Sequence, residues 1–333
     1  MRHTMIHPSR STGNRTGRSR RRWGALVAAG ALTVSLVACS SGDDAAAGDR
    51  TVDVQGHELV IPDHPDRIAS IFNASTQPII ELGAADRLVA VQTMPAANVP
   101  PANRAAYEAV PNKVAYNTPA EKLVPFDPDL IFSFNGAEKG VNEELGKIAP
   151  VAVVQTHGDK RADWQDRTDT IGEILDVPDE AKELKEALTK RQKDISEKYA
   201  DVLAANTVVF LDSYERGNVF AAGTESMVGD LFTPAGVRFA PSVSGRGGGS
   251  DNPGEFTASA EKLGDFLDAD IILVGSNFDG GFNELQQALL DNPLLARSDK
   301  IKQPIGLATI SSYAQANYML DQLEKALTAA QQK

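Results

Sequence analysis

Short, unbroken apolar runs alternate with amphipathic stretches over the first half of the chain's body. Residues 67–72, 87–91, 130–134 and 151–155 are such runs, bounded by Gly, Pro, Asn, Asp or Arg. Runs apolar on both faces are the mark of strands in a parallel sheet covered by helices. A helix over 77–82, closed by Gly83, separates the first two. Ahead of them, segments 51–54 and 57–61 flank Gln55-Gly56 and predict a hairpin. From Pro178 the period changes: Leu184, Leu188, Ile195 and Tyr199 recur at helical spacing among charged residues. No Gly or Pro interrupts the stretch, and Asp179 and Glu180 suit a helix start. One helix over 178–205 is expected, about 40 Å long at 1.5 Å per residue. A second alternating set follows, with strands at 207–211 and 271–274 and helices at 284–290 and 320–329. The pattern predicts an α/β protein: an N-terminal lobe over 50–177, an interlobe helix over 178–205 and a C-terminal lobe over 206–333, with parallel sheets. The lobes also echo each other. Segment 120–134, beginning Ala120-Glu-Lys-Leu, matches segment 260–274, beginning Ala260-Glu-Lys-Leu.

Composition narrows the class. At 333 residues, 42% hydrophobic and 23% charged, the chain has ordinary globular composition and a length suited to about two domains. Collagenous, wholly disordered and polytopic membrane proteins are excluded. The one cysteine, Cys39, can form neither an internal disulfide nor a Cys-rich zinc site. Residues 1–38 hold seven arginines and no acid; the rest carries 26 bases against 45 acids, a net −19. Such a body repels phosphate backbones, and no nucleic-acid partner is expected.

The first segment reads as an address. Basic residues end at Arg22, an uncharged apolar run extends from Trp23 to Ala38, and small residues precede Cys39. This is a signal-peptide pattern over 1–38, too short in its apolar part to span a bilayer. Leu36-Val-Ala-Cys39 resembles a bacterial lipobox, which implies a lipid-modified Cys39 and acyl chains that anchor the protein to the cell membrane on its extracytoplasmic face. Ser19-Arg-Arg-Arg-Trp23 resembles a twin-arginine signal but also fits a generic basic region, so the export route stays open. Residues 39–49 read as the acylated cysteine and a flexible polar tether.

From about Arg67 onward the chain resembles the substrate-binding lipoproteins of ABC importers for ferric siderophores, haem and cobalamin. The residues that carry this are Arg67-Ile-Ala-Ser-Ile, Glu81-Leu-Gly-Ala-Ala-Asp-Arg-Leu-Val-Ala-Val, Glu121-Lys-Leu, Phe126-Asp-Pro-Asp-Leu-Ile, Leu145-Gly-Lys-Ile-Ala-Pro-Val, Glu261-Lys-Leu, Asp270-Ile-Ile-Leu-Val and Asn292-Pro-Leu. The resemblance implies a C-clamp of two Rossmann-like lobes bridged by one long helix, with ligand held in a shallow cleft. It implies a non-enzymatic receptor, a monomer, that takes a ferric siderophore and passes it to an ABC permease. One glutamate per lobe, at the matching positions Glu121 and Glu261, would pair with permease arginines; alternatively each merely favours its own helix start.

Open α/β sheets bind ligands beyond the carboxyl ends of their strands. That selects Asn73, Tyr116, Arg161 and Trp164 in the first lobe, and Tyr214, Arg216, Arg246, Asn277 and Tyr313 in the second. Aromatic faces suit apolar ligand arms and guanidinium groups suit an oxygen-rich ferric centre. With only scattered arginines in an acidic body, a neutral or cationic hydroxamate complex is favoured over a trianionic catecholate. No protein-bound cofactor or resident metal is expected, since the body's histidines are only His57, His64 and His157. Haem or cobalamin remains an alternative ligand, with Tyr116, Tyr214 or Tyr313 available to haem iron. A serine acyltransferase is a rival of another class. Ser259-Ala-Glu-Lys262 and Ser250-Asp-Asn252 fit two of its motifs, but in reverse order and without Lys-Thr-Gly.

Overall fold

The computed structural model describes residues 48–157, 163–245, 252 and 254–333. The signal segment, Cys39, the tether as far as residue 47, Arg161 and Arg246 lie outside the described residues. A hairpin of β1 (Asp49–Asp53) and β2 (Glu58–Pro62) comes first, turned by Gln55 and Gly56 at φ of 53° and 98°. The first lobe contains β3 (Ile68–Ser70), α1 (Asn73–Glu81), β4 (Leu88–Gln92), α2 (Pro101–Ala109), β5 (Lys113–Val114), β6 (Leu130–Phe134), α3 (Val141–Leu145), β7 (Val151–Val154) and α4 (Trp164–Leu175). Its sheet runs β5-β4-β3-β6-β7, parallel throughout. β6, whose five residues are all buried, is the continuous apolar strand that two-sided covering requires.

The expected 28-residue rod is two helices, α5 (Pro178–Lys198) and α6 (Ala200–Ala205), separated at Tyr199, where φ is −112° and ψ is 22°. Pro178 occupies the first turn, where its missing N–H costs nothing. α5 buries Ala181, Leu188, Gln192 and Ile195 and leaves its charged face to solvent. The second lobe contains β8 (Val208–Asp212), β9 (Asn218–Ala222), α7 (Met227–Phe232), β10 (Glu255–Ser259), β11 (Ile271–Gly275), α8 (Glu284–Leu290), α9 (Pro293–Ala296), β12 (Ile301–Gly306) and α10 (Tyr313–Gln331). Its order, β10-β9-β8-β11-β12, repeats that of the first lobe place for place. It differs in being mixed: β9 runs antiparallel to both neighbours. The expectation of a parallel second sheet therefore fails in that strand. The reason is local: Ser213–Gly217 closes a tight hairpin, with Gly217 at φ 83° and Ser213 Oγ donating to the Glu215 and Asn218 carbonyls.

The internal repeat is structural. Leu123 and Leu263 are both fully buried behind exposed Glu-Lys pairs, each following the outer strand of its sheet. The strands then slip by one residue relative to the sequence alignment. Leu130 stands opposite Ile68, whereas Ile271, not Asp270, stands opposite Val208. Asp129 and Asp270 become equivalents: Asp129 accepts the Asp66 and Arg67 amides at 2.9 and 3.0 Å, and Asp270 accepts the Thr207 amide at 2.9 Å. Each carboxylate clamps the entry to the first strand of its lobe, and the Thr207 amide holds the Asp270 carboxyl below its usual range.

The lobes meet directly as well as through α5. Lys185 of α5 pairs with Asp169 of α4 at 2.8 Å, while Arg191 pairs with Asp321 and Glu324 of α10. The Phe278 amide donates to the Ala97 carbonyl at 2.8 Å, and buried Arg167 reaches the Gln155 and Ile310 carbonyls. Glu81, at the end of α1, accepts the Tyr313 and Ala314 amides at 2.8 and 3.1 Å. A first-lobe carboxylate thus caps a second-lobe helix, at the end where the helix dipole favours negative charge.

Candidate functional site

Each sheet reverses its strand order beside its first strand, between β3 and β6 and between β8 and β11. Loops leaving the carboxyl ends at these points frame a crevice. In the first lobe the crevice edge is aromatic. Phe72 follows β3, Phe134 ends β6, Tyr116 follows β5 and His157 follows β7. Phe72 stacks on Phe134 with ring centroids 4.0 Å apart, Tyr116 tilts towards both at 6.2 and 5.7 Å, and His157 lies 6.3 Å from Phe134. Phe134 is fully buried and serves as backing, while Tyr116 is half exposed. Ring pairs in this range are mutually favourable, so the wall is set before any ligand arrives. Gly136 makes room for it: a Cβ there would lie 2.4 Å from His157 Cε1. Asn135 pins the loop, accepting the Thr156 and His157 amides at 2.9 and 3.1 Å. The hairpin joins in, since Gln55 Oε1 accepts the Gln155 amide at 2.7 Å.

The corresponding loops of the second lobe supply a different chemistry. Tyr214 is half exposed and stands edge-on to Phe220 at 5.0 Å. Arg216 is 82% exposed, with Glu284 4.0 Å away, a separation at which a solvated pair contributes little and leaves the guanidinium available. Asn277 is half-buried in a tight loop, its amide bonded to the Gly281 carbonyl.

Beneath Tyr214 sits Asp212, the last residue of β8 and fully buried. Its Oδ1 accepts the Ser213 amide at 2.7 Å and Gln286 Nε2 at 3.1 Å. Gly275 lies so close that a Cβ would come within 2.0 Å of Oδ2. Burial pushes the Asp212 carboxyl up to about 6, and hydrogen bonds from Ser213, Gln286 and Tyr214 offset only part of that. A folded-state pKa above the ordinary carboxylate value means that the folded protein holds the proton more tightly. Stability from this group is therefore present at acid pH and is lost as the pH rises from about 4 through 6. Asp212→Asn keeps an oxygen for both donors and removes the buried charge. It is expected to stabilise the protein at pH 8 by on the order of 2–3 kcal/mol and to give no gain at pH 4. Urea unfolding of both proteins at the two pH values measures this, and equal stability at pH 8 would refute it.

The structure separates the expected site residues. Tyr116 on one edge and Tyr214, Arg216 and Asn277 on the other stand at carboxyl ends of strands. Asn73 opens α1 and is tied locally, its Oδ1 accepting Gln77 Nε2 at 2.9 Å. Trp164 and Tyr313 do not belong to the cleft wall. Each is 1% exposed, and their rings meet edge-on at 4.9 Å inside the core where α4 meets α10. A large indole at the start of an amphipathic helix gains more from burial than from solvent. Phe72 and Phe134 were hidden in the sequence among core-like strand residues; the available signal was an aromatic at the carboxyl end of two neighbouring strands. Glu121 and Glu261 are exposed, each in the first turn of a short 3₁₀ helix, spanning Ala120–Lys122 and Ala260–Phe266. Among the described residues no group of three His, Cys, Asp or Glu side chains is placed to hold a metal ion, and no helix is long and apolar enough to cross a membrane.

Comparison with known proteins bears on this geometry. The sequence model of a periplasmic binding protein family matches residues 68–303. YhfQ of Bacillus subtilis strain 168, whose name describes an ABC transporter substrate-binding lipoprotein, is 26% identical over 316 residues, covering 90% of this chain and 96% of that protein. The siderophore periplasmic binding protein from the fuscachelin gene cluster of Thermobifida fusca superposes with a TM-score of 0.65 at 22% identity, over 81% of this chain and 98% of that one. FhuD2 of Staphylococcus aureus, solved with ferrioxamine B, superposes with a TM-score of 0.62 at 18% identity, over 80% and 99%.

Proposed function

The chain belongs to the periplasmic binding protein family, and on that premise we propose that it is an extracytoplasmic, lipid-anchored receptor that captures a ferric siderophore and delivers it to an ABC permease. The observation that carries the reading is the chemistry gathered at the carboxyl ends of the strands in the two sheets. A pre-stacked aromatic wall of Phe72, Tyr116 and Phe134 stands on one edge, and Tyr214 with an exposed Arg216 on the other. A ferric siderophore is a compact, oxygen-rich complex wrapped in apolar arms. Flat rings match the arms, and a guanidinium matches the oxygens around iron. The site's groups bind and orient; the proposed role requires no bond to be made or broken. Names of similar proteins agree in kind: one describes a transporter lipoprotein, another a siderophore periplasmic binding protein, and a third was solved with bound ferrioxamine B.

Cross-lobe bonds at Glu81, Phe278 and Arg167 support a small hinge motion, so the crevice is expected to be close to its binding shape before ligand arrives. The test is native mass spectrometry of the mature protein against ferrioxamine B, a ferric tris-catecholate, haem and cobalamin. A one-to-one complex with ferrioxamine B, absent with the tris-catecholate, is the expected result. Binding of haem or cobalamin alone would replace the ligand, and binding of none would remove the receptor reading. Phe72→Ala, which removes the half-buried ring stacked on Phe134 and leaves Phe134 in the core, is expected to weaken ferrioxamine B binding about tenfold, given roughly 1–1.5 kcal/mol for an aromatic contact beyond its area. Isothermal titration measures it, and an unchanged affinity would move the ligand off this wall.

A further inference from the structure

We propose that Asp212 is a positioning residue of the ligand site, the buried hub on which three loops of the second lobe are set. The inference rests on the receptor reading above and deepens it by naming what orients Tyr214 and Arg216. Asp212 ends β8, fully buried, immediately before the hairpin that carries both side chains. Three elements converge on its carboxyl. Oδ1 accepts the Ser213 amide at 2.7 Å, which fixes the first residue of the hairpin. Oδ1 also accepts Gln286 Nε2 of α8 at 3.1 Å. Gln286 in turn accepts the Asn283 amide on Oε1 at 3.1 Å and donates its own amide to Asn283 Oδ1 at 2.9 Å. The carboxyl is thereby tied to the start of α8, where Glu284 stands 4.0 Å from Arg216. Oδ2 lies against Gly275, the residue from which β11 passes into the Asn277 loop, and no side chain fits between them.

A neutral acceptor could close the same hairpin at a lower desolvation cost. What a charge adds is strength, since a hydrogen bond to a carboxylate is roughly twice as strong as a neutral one. Protonation removes that strength and keeps the geometry. Oδ2 has no hydrogen-bond partner among the described residues, so the proton of the neutral acid goes there, and both bonds to Oδ1 remain in weaker form. Burial already places this change at a pH of about 6. The groups around the carboxyl are Ser213 and Tyr214 of its own loop, Phe220 opposite on β9, Gly275 of β11 and Gln286 of α8. Phe220 also backs the Tyr214 ring edge-on at 5.0 Å. Tyr214 is the titratable group among these, and it adds the weakest of the hydrogen bonds that favour the charged form. Glu215, Arg216 and Glu284 are exposed on the same elements. Above pH 6 the hub is charged and holds the hairpin and the α8 start firmly; below it they loosen. Ligand therefore selects the charged form, and affinity falls as the pH drops through about 6. The charge that lowers overall stability at neutral pH is the one that tightens the site.

Two measurements test this. In nitrogen–proton NMR spectra of the ligand-free protein, the Ser213 amide and the Gln286 side-chain amide are expected to titrate with a midpoint at about 6, and the Tyr214 and Asn283 amides to follow them. Asp212→Asn should abolish the midpoint, and Gln286→Met, which removes one donor to the carboxylate, should move it up. In isothermal titration, wild-type protein is expected to bind ferrioxamine B about fivefold more weakly at pH 5 than at pH 7.5. The amine of ferrioxamine B keeps its charge throughout that range. Asp212→Asn is expected to bind equally at both pH values, with the weaker affinity. Imidazoles titrate in the same window, and His157 lies beside the first-lobe wall. A pH dependence that survives in Asp212→Asn would therefore overturn the proposal. So would a flat wild-type profile, a profile of opposite sign, or amides at Ser213 and Gln286 that do not titrate. Each of these leaves the receptor reading standing. Failure of the wild-type chain to bind ferrioxamine B at either pH would overturn the receptor reading and this proposal with it.

Discussion

A protein carrying Glu121→Ala together with Glu261→Ala is expected to bind ferrioxamine B with wild-type affinity and to lose delivery by about a hundredfold or more. The magnitude follows from the two charge pairs with permease arginines that the family resemblance implies, each costing roughly 2 kcal/mol or more when one partner is truncated. Ligand affinity is expected to be spared because both glutamates are exposed on short 3₁₀ turns of their own, and the stacked Phe72 and Phe134 stand at the ends of the inner strands β3 and β6. Neither side chain holds the fold, since the buried Leu123 and Leu263 pin their turns. Single variants are expected to be intermediate, because one remaining pair still orients the receptor. Uptake assays run beside titration of the purified variants separate the two effects. Normal delivery by the double variant would remove both glutamates from the docking surface.

Much of this architecture is legible in the sequence because its strands are buried on both faces. Leu130-Ile-Phe-Ser-Phe and Ile271-Ile-Leu-Val need no partner to be read as central strands, and both are central. The strands that escape reading are at or near a sheet edge. β10 lacks a long apolar run, the apolar run of β9 ends in the small residues Ala221 and Ala222, and β12 carries Lys302 and Gln303 on its way to Pro304. Edge strands tolerate polar residues and proline because one side of their backbone has no ladder to satisfy. The antiparallel turn of β9 depends on five residues, and no hydrophobic period encodes it. The one-residue slip of the repeat is equally invisible to alignment, since Asp129 and Asp270 do the same work from positions that the sequence does not pair.

The site was partly legible for a related reason. Polar and half-exposed groups at strand ends, such as Tyr116, Tyr214 and Arg216, announce themselves by breaking an apolar run. Phe72 and Phe134 do not, because they continue it, and only the parallel pairing of β3 with β6 brings them into contact. Trp164 misleads in the opposite direction. A tryptophan after a polar loop looks available, yet it opens an amphipathic helix whose other buried residues include Thr168, Ile171 and Leu175, and it joins that face.

Replacing Glu81 by alanine is expected to destabilise the protein by about 3–5 kcal/mol, the cost of leaving several buried donors without an acceptor. The carboxylate accepts Asn103 Nδ2 at 2.8 Å and the first two amides of α10, from Tyr313 and Ala314. No other side chain of the first lobe caps that helix among the described residues. Burial pushes the Glu81 carboxyl up, and hydrogen bonds from Ser312, Asn103, Ala314 and Tyr313 pull it part of the way back. The sign again follows from a raised folded-state pKa: the group stabilises the fold most at acid pH, and that contribution is lost as the pH climbs past the ordinary carboxylate range. Glu81→Gln keeps one acceptor and carries no titration. It is expected to cost only about 1–2 kcal/mol, with its deficit widest at acid pH and narrowing towards neutrality. Because the bond crosses the lobes, loss of stability should come with loss of rigidity. Hydrogen exchange at the Tyr313–Gln315 amides is expected to speed up in Glu81→Ala well before global unfolding. Unaltered exchange there, or a Gln variant whose deficit grows with pH, would show that this carboxylate is not the bond that holds the second-lobe helix to the first lobe.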